Sequence, residues 1–592
     1  FQRYNLRANI DAKINNWLDL GIELAPSWTD NHTGNVDPGS GQFSVYNVLN
    51  IAKWADPTAA VYDENGDFTR DTRGVLTQFY QVNPVKQLTL QRRYTNNRQI
   101  LSGINAKVKL FDGLTFKTYF AAQYLNNLGR RFTPADVTAS GLEPSFLNTR
   151  ASANSGRYES LRLLSENTLN YDKTLGKHKI NLLAGYTAER QQETNLNVSS
   201  NTIIDENFVL TSQGNTARTD PNNPDQTIFA FTGGEGISEQ ALISYLGRGQ
   251  YIFDDRYFLT ATIRVDGSSR FGPNQRFAAF PSIGVGWRLS NERWLSDLLG
   301  PVNNLRLYGS FGYSGNNRIG NYQWQGGIGG VNYIIGGTQV VGRQVGGIPN
   351  FDLTWEETEQ FDAGIEVGVW KDRLTAKFNY YKATTEGLLF GAPLPRVTGY
   401  GSRLVNIGAI ENKGLEVAIA AQPVVRDKLV WSVDANLTVN RNKVLRLGPD
   451  ERPIFSIPAG NGSRAGITQV GSPIGLFYGL EITGLYTKEM LDDPNVAKYP
   501  GAVEGAPVYV DVNGDGRLDR SAEDRTIIGN PWADFNFGLN TTISYGDFSL
   551  RINSYGEYGS EILDLSREFS QNTDDGIGAL QGVFNVDRVV QT

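Results

Sequence analysis

Between Val510 and Arg525 the chain reads VDVNGDGRLDRSAEDR, which sets Asp511, Asn513 and Asp515 at alternate positions, followed by Gly516, Arg517 and Asp519. Counted from Asp511, these are the first, third, fifth, sixth, seventh and ninth places of an EF-hand-type calcium loop. In such a loop alternate oxygens and one carbonyl, here that of Arg517, wrap a hard cation, and glycine makes the sharp turn. The twelfth place, where an acid should close the sphere, is Ala522, and Glu523 and Asp524 follow. Asx turns alone would order the same residues without metal, and the sequence leaves both readings standing. No pair of amphipathic helices flanks the segment, so it reads as a brace within residues 503–531 and not as a sensor. Ca2+ is the one cofactor considered, and none is required.

Other catalytic chemistry is sparse. The chain has no Cys and two His, His32 and His178. His178 falls at a turn entering a strand, and His32 is expected in a loop without a second ligand, so no transition-metal site is supported. The acidic residues show no spacing typical of a glycosidase pair, and no Ser-His-Asp spacing stands out. GGIGGVNYIIGG and GRQVGG do not open a helix after a strand, which argues against phosphate or dinucleotide binding and for a mobile outer loop. We expect no enzyme. A net charge of −7 and a pI near 5.3 argue against a nucleic-acid partner. Tyr322, Trp324 and Tyr333 share a long loop and could stack on sugar rings; they are the substrate-binding candidates.

The elements that must carry these residues have a period of two. In YNLRANIDAKI, Tyr4, Leu6, Ala8, Ile10, Ala12 and Ile14 alternate with Asn5, Arg7, Asn9, Asp11 and Lys13. LTATIRVD and LVWSVDANLTVN repeat the pattern, which predicts strands of about ten residues with one apolar and one hydrophilic face. Short turns such as Asn15–Asn16, Asp254–Asp255 and Gly546–Asp547 alternate with long connections from about Asn31 to Asn97, Asn195 to Gln240, Gly315 to Trp355 and Arg441 to Pro531. That asymmetry is the layout of an antiparallel transmembrane β-barrel with short periplasmic turns and long extracellular loops. Mean hydropathy is −0.35 and no run approaches the ~18 apolar residues of a membrane helix, which a barrel does not need. Arg7, Lys13, Lys107, Lys109, Lys117, Arg264 and Arg551 fall on the hydrophilic side, as a wet or plugged lumen allows. Trp17, Trp370 and Tyr545 lie beside short turns and suit an interfacial aromatic girdle.

Several blocks carry a family likeness. WEETEQFDAGIEVGVWKDRLTAKFNYYKATTEGLL with LVNIGAIENKGLEV, TATIRVDGSSRFGPNQRFAAFPSIGVGWRLSNERWL, LRLYGSFGYSGNNRIGNYQ and DRTIIGNPWADFNFGLNTTISYGDFSL follow one another along most of the chain. Together they resemble the SusC/RagA-type TonB-linked outer-membrane proteins. The resemblance implies an all-β barrel of roughly twenty-two strands around a plug. About fourteen to sixteen strands are expected within 1–592. The plug, its TonB contact and the first strands would precede Phe1, and the last strands would follow Thr592. It further implies location in the outer membrane of a Gram-negative bacterium, import driven by the TonB-ExbB-ExbD complex, and a SusD-like surface lipoprotein as partner. Oligosaccharide or peptide would be the substrate, and pairs of two-protein units would form dimers. In that family the closing acid of the calcium-like loop comes two residues earlier, so Asp524 matches the motif across a longer loop. A secreted or surface carbohydrate-binding β-protein with a calcium-braced loop, a surface glycosidase and a passive porin are the rival readings.

Overall fold

The computed structural model describes residues 1–33, 60–69, 83–134, 151–203, 217–220, 223–229, 231–296, 298–458, 464–518 and 523–564. Its frame is a 17-stranded antiparallel sheet. In chain order the strands are β1 (Gln2–Asn5), β2 (Ala8–Lys13), β3 (Leu18–Thr33), β4 (Arg92–Phe111), β5 (Leu114–Thr133) and β6 (Ala151–Leu175). Then come β7 (His178–Ile203), β8 (Phe231–Phe253), β9 (Tyr257–Ser268), β10 (Phe277–Arg288), β11 (Val302–Asn316) and β12 (Glu356–Val369). The last are β13 (Leu374–Pro393), β14 (Ser402–Arg426), β15 (Leu429–Arg446), β16 (Phe535–Tyr545) and β17 (Phe548–Tyr558). From β2 onward each pairs with its neighbour in sequence. β1 and β2 both pair with β3, end to end, and the break between them falls opposite Pro26, which has no N–H to give the ladder. The sheet is therefore sixteen strands wide, seventeen less the one shared position, within the expected range.

The alternation seen in sequence becomes two continuous faces. One cross-strand row runs Tyr257, Trp287, Leu307, Ile365, Phe378, Val417, Leu437 and Phe537, each the register partner of the next. A second runs Ile10, Ile22, Ile104 and Phe120. Apart from Ile365 and Val417, which are partly covered, these side chains stand exposed, Ile10 and Ile104 by more than half, with no second protein layer against them among the described residues. Leaving a large aliphatic side chain in water instead of burying it costs about 1.5–3 kcal/mol. Rows of them would cost on the order of tens of kcal/mol, more than the ~5–15 kcal/mol that holds a domain folded. Only hydrocarbon resolves that conflict, so the outer face is a lipid face. On β10 the outward residues from Phe277 to Trp287 span about 34 Å of strand, or about 24 Å of membrane at a tilt near 45°, which fits the usual apolar band.

The opposite face is hydrophilic. Lys13, Asp19, Lys107 and Lys117 form one row, and Arg306, Glu366 and Lys377 another. Lys13, Lys107 and Lys117 thus lie on the lumen side where the alternation put them.

Strand lengths differ from the ten residues expected. β6 and β7 have 25 and 26 residues and rise far past the membrane, because polar residues on both faces let them continue as a wet double-sided wall. The long connections are accordingly shorter at their bases: His32 belongs to β3, opposite Tyr94 with ring centroids 4.8 Å apart, and not to a loop. The glycine-rich segment predicted as a mobile loop is a hairpin, Ile328–Ile335 with Thr338–Val345. Its turn residues Gly336 and Gly337 have φ of 59° and 80°, the left-handed pair that a tight hairpin demands.

At the turn side the chain ties itself with short contacts. Trp17, Trp370 and Tyr545 lie exposed beside their turns, as an aromatic girdle requires. Buried Glu292, in the one longer turn, accepts from Tyr257 Oη at 2.6 Å, Trp287 Nε1 at 3.0 Å and Arg256 Nη1 at 3.0 Å. Those donors, Tyr257 foremost, hold its carboxyl below the usual carboxylate range.

Candidate functional site

Two surfaces could meet a substrate: the hydrophilic wall and the loops at its far rim. On the wall, Arg264 Nε lies 2.8 Å from both carboxylate oxygens of Asp266, and its Nη2 donates to Ser244 Oγ at 3.0 Å. Asn379 donates to Glu416 at 3.3 Å, and the Tyr381 hydroxyl donates to Asn440 at 2.9 Å. The guanidiniums of Arg288 and Arg306 lie over the Phe258 ring at 5.4 and 5.1 Å. Donors and acceptors alternate with aromatic faces along this wall, a lining able to exchange hydrogen bonds with a polar solute.

The loop from Asn317 to Trp355 is clamped at its base. Phe271, Phe280 and Trp355 form a buried cluster, and Trp355 Nε1 donates to the Arg276 carbonyl at 2.9 Å. Arg270 spreads its guanidinium over three partners: Asn321 Oδ1 at 3.1 Å, the Asn317 carbonyl at 3.1 Å, and Gln240. Arg270 and Phe271 belong to the DGSSRFG block, whose positional role sequence reasoning missed; a planar five-donor group beside a large apolar one was the available signal.

Of the stacking candidates, Tyr322 has a φ of 64° and its hydroxyl oxygen accepts the Glu239 backbone N–H at 2.9 Å. Trp324 follows in the 3-10 turn Gln323–Gln325 and packs on Phe351 at 5.6 Å. Tyr333 lies on the hairpin, exposed, over Gly342. The structure thus places Tyr322 and Trp324 in one clamped turn and Tyr333 apart on the hairpin, with the two tyrosines more open than Trp324.

The second large loop, from Leu447 to Asp534, folds as a unit. Four short strands (Ile454–Pro458, Arg464–Thr468, Leu476–Leu480, Arg525–Gly529) make one sheet, and Ile482–Leu485 pairs with Pro507–Tyr509. Tyr486, Tyr499 and Leu518 form its buried core. The calcium-like segment belongs to this unit. Asp511 accepts the N–H groups of Gly514 and Gly516 at 2.7 and 2.8 Å, Asn513 accepts that of Asp515 at 3.0 Å, and Asp515 accepts that of Arg517 at 2.8 Å. Glu523 reaches back to Asn513 at 3.4 Å, and Asp524 is buried at the loop's base. Asp519 lies outside the described residues. Among the described residues no three acidic or imidazole side chains converge as a preformed metal cluster.

A lipid-facing outer wall, a polar inner wall and elaborate loops on one rim define an outer-membrane β-barrel of the transporter type. Residues 27–501 match the family described as TonB dependent receptor-like, beta-barrel. The chain is 28% identical over 572 residues to TonB-dependent receptor P3 of Formosa agariphila, which covers 95% of this chain and 54% of that protein. It is 30% identical over 346 residues to TonB-dependent receptor SusC of Bacteroides thetaiotaomicron, over 54% of this chain and 32% of that protein. Among solved structures, the RagAB peptide transporter superposes with a TM-score of 0.75 at 23% identity, over 96% of this chain and 59% of that one, a likeness of fold. The chain belongs to the TonB-dependent receptor family. It is an outer-membrane protein of a Gram-negative bacterium, and it spans about half the length of the curated relatives it matches.

Proposed function

We propose that the chain is the major part of the barrel of an active importer that draws oligosaccharide or peptide through the outer membrane. Energy comes from the TonB-ExbB-ExbD complex acting on a plug, and a SusD-like surface lipoprotein encloses the substrate at the loop rim. The observation that carries this reading is the polar wall continuing far above the lipid band on β6 and β7, on the same rim as loops held by their own buried clusters. Among the described residues β1, β2 and β17 pair on one side only, and unpaired backbone in hydrocarbon costs several kcal/mol per group. Flanking strands of the whole protein supply that pairing. The exposed hairpin face of Ile328, Ile334, Val341 and Val345 is the surface offered to the lipoprotein.

The test is growth on the imported nutrient with and without TonB. Growth that stops without TonB while the protein stays in the outer membrane supports import. Growth that persists would make the protein a passive porin. Glycan-fed and peptide-fed cultures of a deletion strain separate the two substrate classes.

A further inference from the structure

We propose that the outward face of β13, β14 and β15 carries, at the outer edge of the lipid band, a site for the phosphate groups of an outer-leaflet glycolipid. On β15 the outward residues Leu429, Trp431, Val433, Ala435, Leu437 and Val439 run uncharged over ten residue steps, the span also found from Phe277 to Trp287 on β10. The next outward residue is Arg441. Lys413 on β14 is its register partner, and Lys382 on β13 is the partner of Lys413. One outward row beneath them lie Val439, Leu415 and Tyr380. The short turn at Lys428 is at the other end of β15, so the three cations stand side by side where the greasy face meets the headgroups of the outer leaflet.

Like charges directly opposite one another on neighbouring strands repel. Here one carboxylate serves both lysines: Glu411 lies 3.2 Å from Lys382 Nζ and 3.4 Å from Lys413 Nζ. An ammonium group has three N–H donors, and both lysine side chains are half exposed beside this shared acid. Arg441 is held in place by the Asn440 and Asp534 carbonyls, which accept from its Nη1 at 3.3 and 3.0 Å, and by the Asp534 carboxylate, 3.4 Å from Nη2. Lys443, exposed and opposite Glu411 one row higher, adds a fourth cation. Four cations against Glu411 and Asp534 leave an excess of two positive charges, in a chain whose net charge is −7. On the β12 side the patch ends at Glu359, which accepts from the Tyr313 hydroxyl at 2.8 Å. A phosphate group brings the matching chemistry, up to about two negative charges and three acceptor oxygens. The uncharged row directly below selects a lipid over a free anion, since acyl chains lie along Tyr380, Leu415 and Val439 while the phosphates meet the cations. The site rests on the membrane face and not on the import reading.

The whole protein, solubilised in detergent and freed of co-purified lipid, is titrated with lipid A, with binding read by native mass spectrometry, alongside lipid A stripped of its phosphate. We expect saturable binding of lipid A, about tenfold or more tighter than that of the stripped form. Lys413→Gln should weaken it about fivefold, and Lys382→Gln, Lys413→Gln and Arg441→Gln together about a hundredfold, at roughly fivefold for each charge removed. Lys428→Gln, at the opposite end of the β14–β15 hairpin, should leave it unchanged, and so should the charge-keeping pair Lys382→Arg with Lys413→Arg. Heat-modifiable gel migration checks that each variant is folded. Lys413→Gln, which leaves Lys382 to hold Glu411, carries the test if the triple variant does not fold. Equal affinity for the two forms of the lipid would overturn the proposal, as would wild-type affinity in folded Lys413→Gln protein. Displacement of lipid A by millimolar inorganic phosphate would overturn it too, by making the ligand a free anion.

Discussion

Two loops leave the same rim and solve the problem of standing in water in opposite ways. The unit from Leu447 to Asp534 buries Tyr486, Tyr499 and Leu518 among its own short elements, and ties Lys498 Nζ to the Leu491 and Asp493 carbonyls at 2.6 Å each. The loop from Asn317 to Trp355 is anchored by apolar residues at its base and sends out a hairpin whose face of Ile328, Ile334, Val341 and Val345 is left open among the described residues. A loop that carries its own core has a shape of its own, whereas one that presents an apolar sheet face has a shape completed by another surface. The first suits a fixed wall and the second a contact that forms and breaks.

The contrast breaks most easily at the base of the hairpin loop. Trp355→Ala removes the ring that Phe271 and Phe280 pack against, at 5.3 and 5.6 Å, together with the bond to Arg276. A loss of about 3–5 kcal/mol of local stability is expected for such a truncation. Hydrogen exchange resolved by segment should show the loop from Asn317 to Trp355 released while Leu447–Asp534 keeps its protection. Loss of protection in both would mean that the loops form one unit and the contrast is false.

Leu518→Ala acts on the other loop and should cost less, about 2–3 kcal/mol, because a leucine leaves a smaller cavity than a tryptophan. Exchange should rise from Ile482 to Asp524 and stay unchanged at the hairpin. Smaller still is the expected effect on stability of Ile334→Ser with Val341→Ser. Both side chains are about four-fifths exposed, so thermal stability of the detergent-solubilised protein should shift by no more than ~0.5 kcal/mol. Capture of the surface lipoprotein should nonetheless weaken about tenfold or more. Unchanged capture would assign the hairpin's apolar face to something other than this partner.

Much of the frame was legible in sequence because a barrel strand advertises itself by period two. Lys107, Lys117 and Arg264 could be assigned to the lumen from their neighbours alone, and Trp17 and Tyr545 to the girdle from their nearness to turns. The upper halves of β6 and β7 were not legible, since a wall with water on both sides, such as Ser155–Tyr158 against Asn195–Val198, has no apolar face to reveal it. The hairpin was misjudged for a related reason: IGGVNYII carries so much glycine that its strand character is hidden, while the paired Gly336–Gly337 marked the turn plainly. Arg270 could not be placed because its partners Gln240, Asn317 and Asn321 meet it only through the fold. The Asx pattern from Asp511 to Arg517 was readable from spacing, but that Asp524 is buried where the chain returns to pair with Leu480 depends on the strand pairing.

The smallest expected effect sharpens the contrast by pH. The short helix Lys488–Asp492 of the self-contained loop starts at Thr487, whose side chain accepts the Met490 N–H at 3.3 Å. In its first turn the Glu489 carboxylate accepts its own backbone N–H and the Thr487 hydroxyl, contacts that hold its carboxyl below the ordinary 4.5. A carboxyl lowered in the folded state adds stability that is complete above the ordinary value and is lost as pH falls through the lowered one. Acidification below about pH 4.5 should therefore fray Lys488–Asp493, seen as faster exchange there, with Glu489→Gln showing the weakened, pH-independent behaviour from the start. The hairpin from Ile328 to Val345 contains no acidic residue and should not respond over the same range. If both segments loosened together as pH fell, the helix would be reporting a change in the whole rim, and the self-sufficiency claimed for its loop would fail.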